Sequence, residues 1–391
     1  MTGRRLSIDP RMFISRPFAT CPKCGSPEFG TLMIANNFHA RRCRGCSHTE
    51  RSQLPPIRKR LIYLDQMVLS NVAKELDPVW RTKTRRPDQF WLELFDQIDR
   101  LVKLQILVCP KSPVHEEESA YDDRFEVVLR RLYNHLAAGV SLDFPRRINT
   151  LQIWEAISAQ EEGRDPDWSR ITAEDVVDGN LDKWSDRILL TVNMGHWFGE
   201  LDERRVSRAE GHKALVDVWN RWRAAKGLTF AIQFERERRA FAKVAIDSYL
   251  RYLALLHNLN TGAEVPSDPM ALMPSDSVML VKQLAERLAD EGDDLAERID
   301  RVTKFLCSEP VLLAPKNHIA ALLYAGLARR AVGGKKQPPS RGTANDIDVI
   351  SAYLPYCDAR HAARCAASLA AGTATDRLSP RPEPIPTYPT R

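Results

Sequence analysis

Apolar and polar positions along the chain mark out a strand–helix–strand–helix order before any chemistry is considered. A short apolar run at residues 61–64 (Leu-Ile-Tyr-Leu) reads as a buried strand closed by Asp65, and residues 67–76 read as the helix that follows. Residues 89–102 carry Phe90, Leu94, Ile98 and Leu101 at helical spacing. A second strand is predicted at 104–108, closed by Cys109-Pro110, and a helix starting at Ser112 or Pro113 carries His115 and Glu118. This alternation argues for a parallel sheet with crossover helices. From about 120 to 330 the pattern is almost entirely helical, clearest at 230–259, 277–288, 295–306 and 318–331. Tryptophans spread through that region (Trp154, Trp168, Trp184, Trp197, Trp219, Trp222) are expected to anchor cores.

Composition narrows the class. The chain has 391 residues, 43% of them hydrophobic, enough for one large domain or two ordinary ones. No apolar run has the length of a membrane-spanning helix, and the basic N-terminus has no apolar core of a secretory signal. Net charge is +6, with basic clusters at 41–44, 58–60, 81–86 and 335–341. Any one cluster is ordinary solvated surface, but two of them flank acidic positions in sequence and suit phosphate steering.

Four of the eight cysteines are paired by spacing: Cys21 with Cys24 and Cys43 with Cys46, with eighteen residues between the pairs. Two CxxC knuckles place four thiolates around one ion, predicting a closed structural zinc site. So short a segment builds too little core to fold without the metal. Cys109, Cys307, Cys357 and Cys365 are scattered and read as reduced thiols of a cytoplasmic protein. His39 and His48 are expected to be polar neighbours rather than ligands, because four sulfurs satisfy the ion. The module, residues 18–52, resembles a zinc ribbon, and ribbons bind nucleic acid or protein. Arg41, Arg42 and Arg44 with Phe38 would suit phosphate and base contact. Pro55-Pro56 ends the module and begins a linker.

Acidic residues sit where strands end and helices begin. Asp65 closes the first strand, Glu118 follows the second, and Asp346 and Asp348 lie in Ala-Asn-Asp-Ile-Asp-Val-Ile at 344–350. Ligands of a parallel sheet bind beyond the carboxyl ends of its strands. Carboxylates gathered there repel unless a divalent ion sits among them, and hard oxygen ligands suit magnesium or manganese. Structural roles compete: Asp65 as a helix cap, Asp346 as the cap of a helix starting at Ile347, and Glu116 to Glu118 as acids favouring a helix N-terminus.

Three stretches resemble a family. Tyr63-Leu64-Asp65-Gln66-Met67-Val68-Leu69-Ser70 is similar to the opening strand and turn of PIN-like nucleases. Residues 109–119 (Cys-Pro-Lys-Ser-Pro-Val-His-Glu-Glu-Glu-Ser) resemble the second acidic motif of a large bacterial PIN-like family, and 344–358 resemble its third. The resemblance implies an α/β fold: a parallel-sheet α/β/α core with a large helical elaboration. It also implies metal-dependent cleavage of RNA or single-stranded nucleic acid. Asp65 and Glu118 would be metal ligands, with Asp346 or Asp348, and Asp358 as an addition. The family pattern then expects a strand ending in another acid. Here 359–365 reads Ala-Arg-His-Ala-Ala-Arg-Cys, with Ala362 or Ala363 in that place. Either this is a variant with weakened or lost activity, or the tail is read in a shifted frame.

The sequence thus predicts a zinc ribbon at 18–52, a PIN-like nuclease domain at 58–370 elaborated by helices at about 120–330, and a disordered tail at 371–391. Structural zinc and catalytic magnesium or manganese are the expected cofactors. Lys335, Lys336 and Arg341 are expected to bind substrate phosphates, extended by Arg41, Arg42 and Arg44. A protein partner on the ribbon is a further expectation, as is the absence of membrane association. The alternatives are a non-catalytic nucleic-acid-binding protein and a zinc-ribbon adaptor for another protein.

Overall fold

Antiparallel hairpins account for the N-terminal region of the computed structural model, which describes residues 9–35, 37–81, 88–119, 123–185, 198–262 and 272–358. Strands β1 (Ser15–Ala19), β2 (Phe29–Ala35), β3 (Phe38–Cys43) and β4 (Thr49–Gln53) pair in sequential order. Cys21, Phe29 and Cys43 cluster as this ribbon's core with Cys46 packed against them, and Ile14 and Ala40 are buried beside it. So small an apolar core agrees with a fold that depends on metal.

A second unit begins at β5 (Arg60–Leu61), which leads into α1 (Gln66–Leu76), α2 (Pro78–Arg81) and α3 (Gln89–Lys103). It returns to β6 (Leu107–Val108), parallel to β5 in the register Arg60 to Leu107 and Leu61 to Val108. Next come α4 (Pro113–Ser119), α5 (Asp123–Ala137) and β7 (Ser141–Leu142). β7 lies beside the extension of β6 through a parallel bridge from Lys111 to Ser141. The far edge of β5 is met by Leu181, whose carbonyl accepts from Lys59 N, and by Asp358, whose N–H donates to Leu61 O at 2.8 Å. Both strands are shorter than the sequence predicts. Leu104 to Ile106 close α3 in a turn with Gln105 at φ 59°, leaving Leu104 and Ile106 exposed despite their apolar character.

Side-chain alternation divides the sheet into two faces. Leu107 and Cys109 join Leu69, Val72, Leu129 and Tyr133 from α1 and α5. Leu61 and Val108 join Leu142 and Ile148 on the opposite face, where Val349, Tyr353 and Tyr356 also pack. The helices on that face are α6 (Pro145–Glu161) and, near the end of the described chain, α13 (Thr343–Tyr353). Helices therefore cover both sides of the parallel strands.

The region from 120 to 330 is not as uniformly helical as its pattern predicts. β7 pairs antiparallel with β8 (Val177–Asp178), and 162–185 is largely loop and short turns. Two-residue strands carry no readable period, so the sequence pattern passes over them. The helices that follow are α7 (Phe198–Ala224), α8 (Phe230–Asn260), α9 (Asp276–Arg287), α10 (Leu295–Leu306), α11 (Glu309–Leu312) and α12 (Pro315–Val332). Ala242 and Ile246 of α8, Leu284 of α9 and Phe305 of α10 form a core with Ile153 and Ile157 of α6. Trp154 and Trp168 pack against it, and Trp219 and Trp222 of α7 are buried against Leu323 and Leu327 of α12, as expected of core anchors. Trp197 lies outside the described residues. The helix bearing Asp346 begins at Thr343 rather than at Ile347, so Asp346 lies inside its first turn and is not its cap. Among the described residues, no helix is long and apolar enough to cross a membrane. The segment 359–365, where a further strand and acid were expected, and the 371–391 tail lie outside the described residues.

Candidate functional site

Two tight turns deliver the cysteines. After β1, Gly25 N donates to Cys21 O at 2.9 Å and Cys21 N to Ser26 O at 2.7 Å, with Gly25 at φ 71°. The second turn repeats the geometry: Cys43 N donates to His48 O at 2.9 Å, and Ser47 adopts φ 57°. The left-handed position falls one residue after the second cysteine in each knuckle, easily adopted by glycine and tolerated here by serine.

The sulfurs of Cys21 and Cys46 lie 3.6 Å apart, those of Cys24 and Cys43 3.7 Å, and all four ligand atoms fall within 4.8 Å of one another. A tetrahedron with Zn–S bonds of about 2.3 Å has edges of about 3.8 Å. The four cysteines therefore form a site fit to hold a metal ion such as zinc, closed to further ligands. Backbone N–H groups of Cys46 and Gly45 directed at Cys43 Sγ pull that thiol down to about 6, while Cys24, despite the Ser26 N–H, is pushed up to about 12 by the Cys46 sulfur, burial and the Cys43 and Cys21 sulfurs, so the thiolate sits first on Cys43. His39 meets Thr31 Oγ1 at 2.9 Å, while His48 meets Glu50 at 3.0 Å and stacks on Phe29.

The ribbon's arginines are engaged at home. Arg41 donates to Phe29 O at 2.9 Å and lies over the Phe29 ring. Arg44 donates to Ile14 O at 2.7 Å, covers the Phe18 ring and approaches Glu28 at 3.6 Å. The Nε atoms of Arg41, Arg42 and Arg44 are buried without hydrogen-bond partners. Phe38 is exposed. The ribbon is fastened to the second unit by Trp184, whose N–H donates to Asn37 Oδ1 and whose indole donates to Pro55 O.

The three acid-bearing segments meet at one place. Tyr63, two residues before Asp65, lies with its Oη 2.5 Å from Nε2 of His115, three residues before Glu118. The Tyr63 ring also packs on Tyr353 of α13, with centroids 5.7 Å apart, and α13 carries Asp346 and Asp348. Tyr353 is anchored in turn by donating to Asp143 O at 2.8 Å. His115 is 4% exposed, and burial pulls its pKa down to about 4. The sequence places His115 on the helix with Glu118 but does not reveal it, Tyr63 and Tyr353 as the joint; aromatic residues flanking each acid are the signal that was available.

Each acid has its own surroundings. Asp65 occupies the N-cap position of α1 and is exposed, but its side chain makes no capping hydrogen bond. Asp346 and Asp348 are both exposed on α13. Asp348 Oδ1 pairs with Lys316 Nζ at 2.7 Å. The Asp358 carboxylate accepts from Leu61 N at 2.7 Å, so it caps the free edge of β5. Glu118 lies on α4, and its side chain is outside the described set. Among the described residues, the four cysteines alone gather as a group of three or more metal-ligating side chains; Asp65, Asp346, Asp348 and Asp358 do not form a second.

Lys335, Lys336 and Arg341 are exposed in the loop between α12 and α13. That loop ends at Gly342, where an added Cβ would lie 3.8 Å from an Asp346 carboxylate oxygen. An open groove of about 940 Å³ between α8 and α10 is lined by Ile232, Arg236, Arg239, Lys243 and Cys307 among others, and its lining includes no residue of the acid-bearing segments. No family model, curated protein or solved structure matches the chain.

Proposed function

We propose that this chain is a metal-dependent nuclease with a PIN-like α/β/α unit and an N-terminal zinc ribbon, cutting RNA or single-stranded nucleic acid. The observation that carries the reading is the Tyr63–His115–Tyr353 contact, which holds the three acid-bearing segments together beyond the carboxyl ends of parallel β5 and β6. That edge is where parallel α/β sheets bind ligands. The uncapped Asp65 supports it, since an aspartate at an N-cap ordinarily accepts from the helix backbone.

Asp65 and Glu118, with Asp346 or Asp348 from α13, would hold magnesium or manganese, a fit between hard oxygen donors and hard cations. Bound there, such an ion would activate water and neutralise charge on the phosphodiester. The chain's own contribution is placement. Tyr63 and His115 fix the turn bearing Asp65 against the helix bearing Glu118, and the basic loop of Lys335, Lys336 and Arg341 offers charge to the substrate backbone.

A second reading, a nucleic-acid-binding protein without cleavage, is favoured by the acids already engaged: Asp358 on Leu61 N and Asp348 on Lys316. Incubation with labelled RNA and single-stranded DNA in manganese, magnesium or EDTA separates the two. Metal-dependent cleavage lost in Asp65→Ala supports the nuclease, and salt-sensitive binding without cleavage supports the second reading.

A further inference from the structure

We infer that Lys316 is a phosphate-binding residue of this site and that Asp348 is its counter-ion, not a metal ligand. The inference rests on the nucleic-acid reading above and refines it. Lys316 is the second residue of α12, and its ammonium lies 2.7 Å from Asp348 Oδ1. The lysine side chain is 16% exposed while the aspartate is 50% exposed. A stem covered by protein with its charged end at the surface is a held cation, unlike a free surface lysine.

The holding device is visible. The Lys316 backbone N–H donates to Gln152 Oε1 at 2.9 Å, and Gln152 Nε2 donates to the Tyr356 hydroxyl at 2.8 Å. Gln152 is fully buried, and Tyr356 precedes Asp358 on the edge of β5. A polar tether thus runs from the sheet edge through α6 to the first turn of α12. Ser351 Oγ donates to the Asp348 carbonyl at 2.9 Å, adding a contact on the α13 side.

The ion pair distinguishes the two aspartates. Residues two apart on a helix do not face one another. Asp346 lies three and seven residues before Val349 and Tyr353, the row that packs on the sheet and on Tyr63. Asp348 in turn precedes Ala352 and Tyr356 of the same cluster by four and eight residues, but its carboxylate is bonded to Lys316. On this proposal the ion pair assigns Asp348 to the lysine, and Asp346 serves the ion. A phosphate reaching Lys316 replaces a carboxylate by another oxyanion, which costs the lysine no net loss of charge pairing.

The test measures binding of a fluorescein-labelled mixed-sequence RNA oligonucleotide across a salt series, with calcium replacing manganese, and manganese binding by electron paramagnetic resonance. Lys316→Met should lower the slope of log affinity against log salt by about 0.7, the loss of one phosphate contact on a single strand. Lys316→Arg should retain the wild-type slope, and thermal melting should show both variants folded. Asp348→Asn should leave manganese affinity unchanged and tighten RNA binding, whereas Asp346→Asn should weaken manganese binding. A wild-type slope in Lys316→Met, or loss of manganese binding in Asp348→Asn, overturns the inference alone if manganese binding still depends on Asp65. Manganese binding indifferent to Asp65→Ala overturns the nuclease reading instead, while the salt slope still judges Lys316. Wild-type protein that binds no RNA overturns both.

Discussion

Tyr63 Oη sits 2.5 Å from His115 Nε2, joining the strand end before Asp65 to the helix that carries Glu118. Burial holds the imidazole neutral, with its pKa lowered from 6.5 to about 4. A histidine depressed in the folded state gives its full stability above the unfolded value of 6.5. That stability declines as pH falls through the interval and is gone below about 4, a loss on the order of 3 kcal/mol. Urea denaturation at pH 7 and pH 4.5 should show a larger loss in the wild type than in His115→Gln. Equal losses would show that His115 does not titrate in this window.

Asp65→Ala should barely change stability, within about 0.5 kcal/mol, because the side chain makes no capping bond. Asp294→Ala is the matched control. Asp294 caps α10 in a reciprocal capping box with Glu297, so its loss should cost about 1 kcal/mol. Chemical denaturation of both variants measures the contrast.

Removing the ribbon's metal should unfold the ribbon and leave the α/β unit folded. The ribbon's core cluster is three residues, two of them metal-ligating cysteines, with Ile14 and Ala40 also buried, whereas the parallel unit has apolar cores on both faces. Cys43→Ser should reduce bound zinc from one ion per chain to none, measured by elemental analysis. Amide spectra should lose dispersion for 15–53 and retain it for the residues around Leu61 and Val108.

Gln152→Leu should destabilise the chain by about 1–3 kcal/mol, since it leaves the Tyr356 hydroxyl and the Lys316 N–H without their buried partner. A change within about 0.5 kcal/mol in thermal or urea melting would mean that water replaces both bonds.

The cysteine spacing was legible because two knuckles dictate a local geometry independent of the rest of the chain. Long helices were legible for a similar reason: the 295–306 period coincides with α10, and 230–259 with α8 to within a residue. Strands were legible as apolar runs but not in length, because Leu104 and Ile106 are apolar and yet exposed in a turn. β7 and β8 were not legible at all, since each is two residues paired across the chain. Asp65 was legible as a candidate, whereas its freedom from capping is a tertiary fact. The partners of Asp348 and Asp358, Lys316 and Leu61 N, lie 32 and 297 residues away, beyond the reach of any local pattern.

Single-turnover cleavage of labelled RNA with manganese, comparing wild type with folded Asp65→Ala, decides whether Asp65 and the segments meeting at Tyr63 form the proposed metal-dependent nuclease site. The wild type should cleave, and EDTA and Asp65→Ala should both abolish cleavage. Cleavage of equal rate by Asp65→Ala, or none by metal-loaded wild type, would exclude a nuclease site at Asp65.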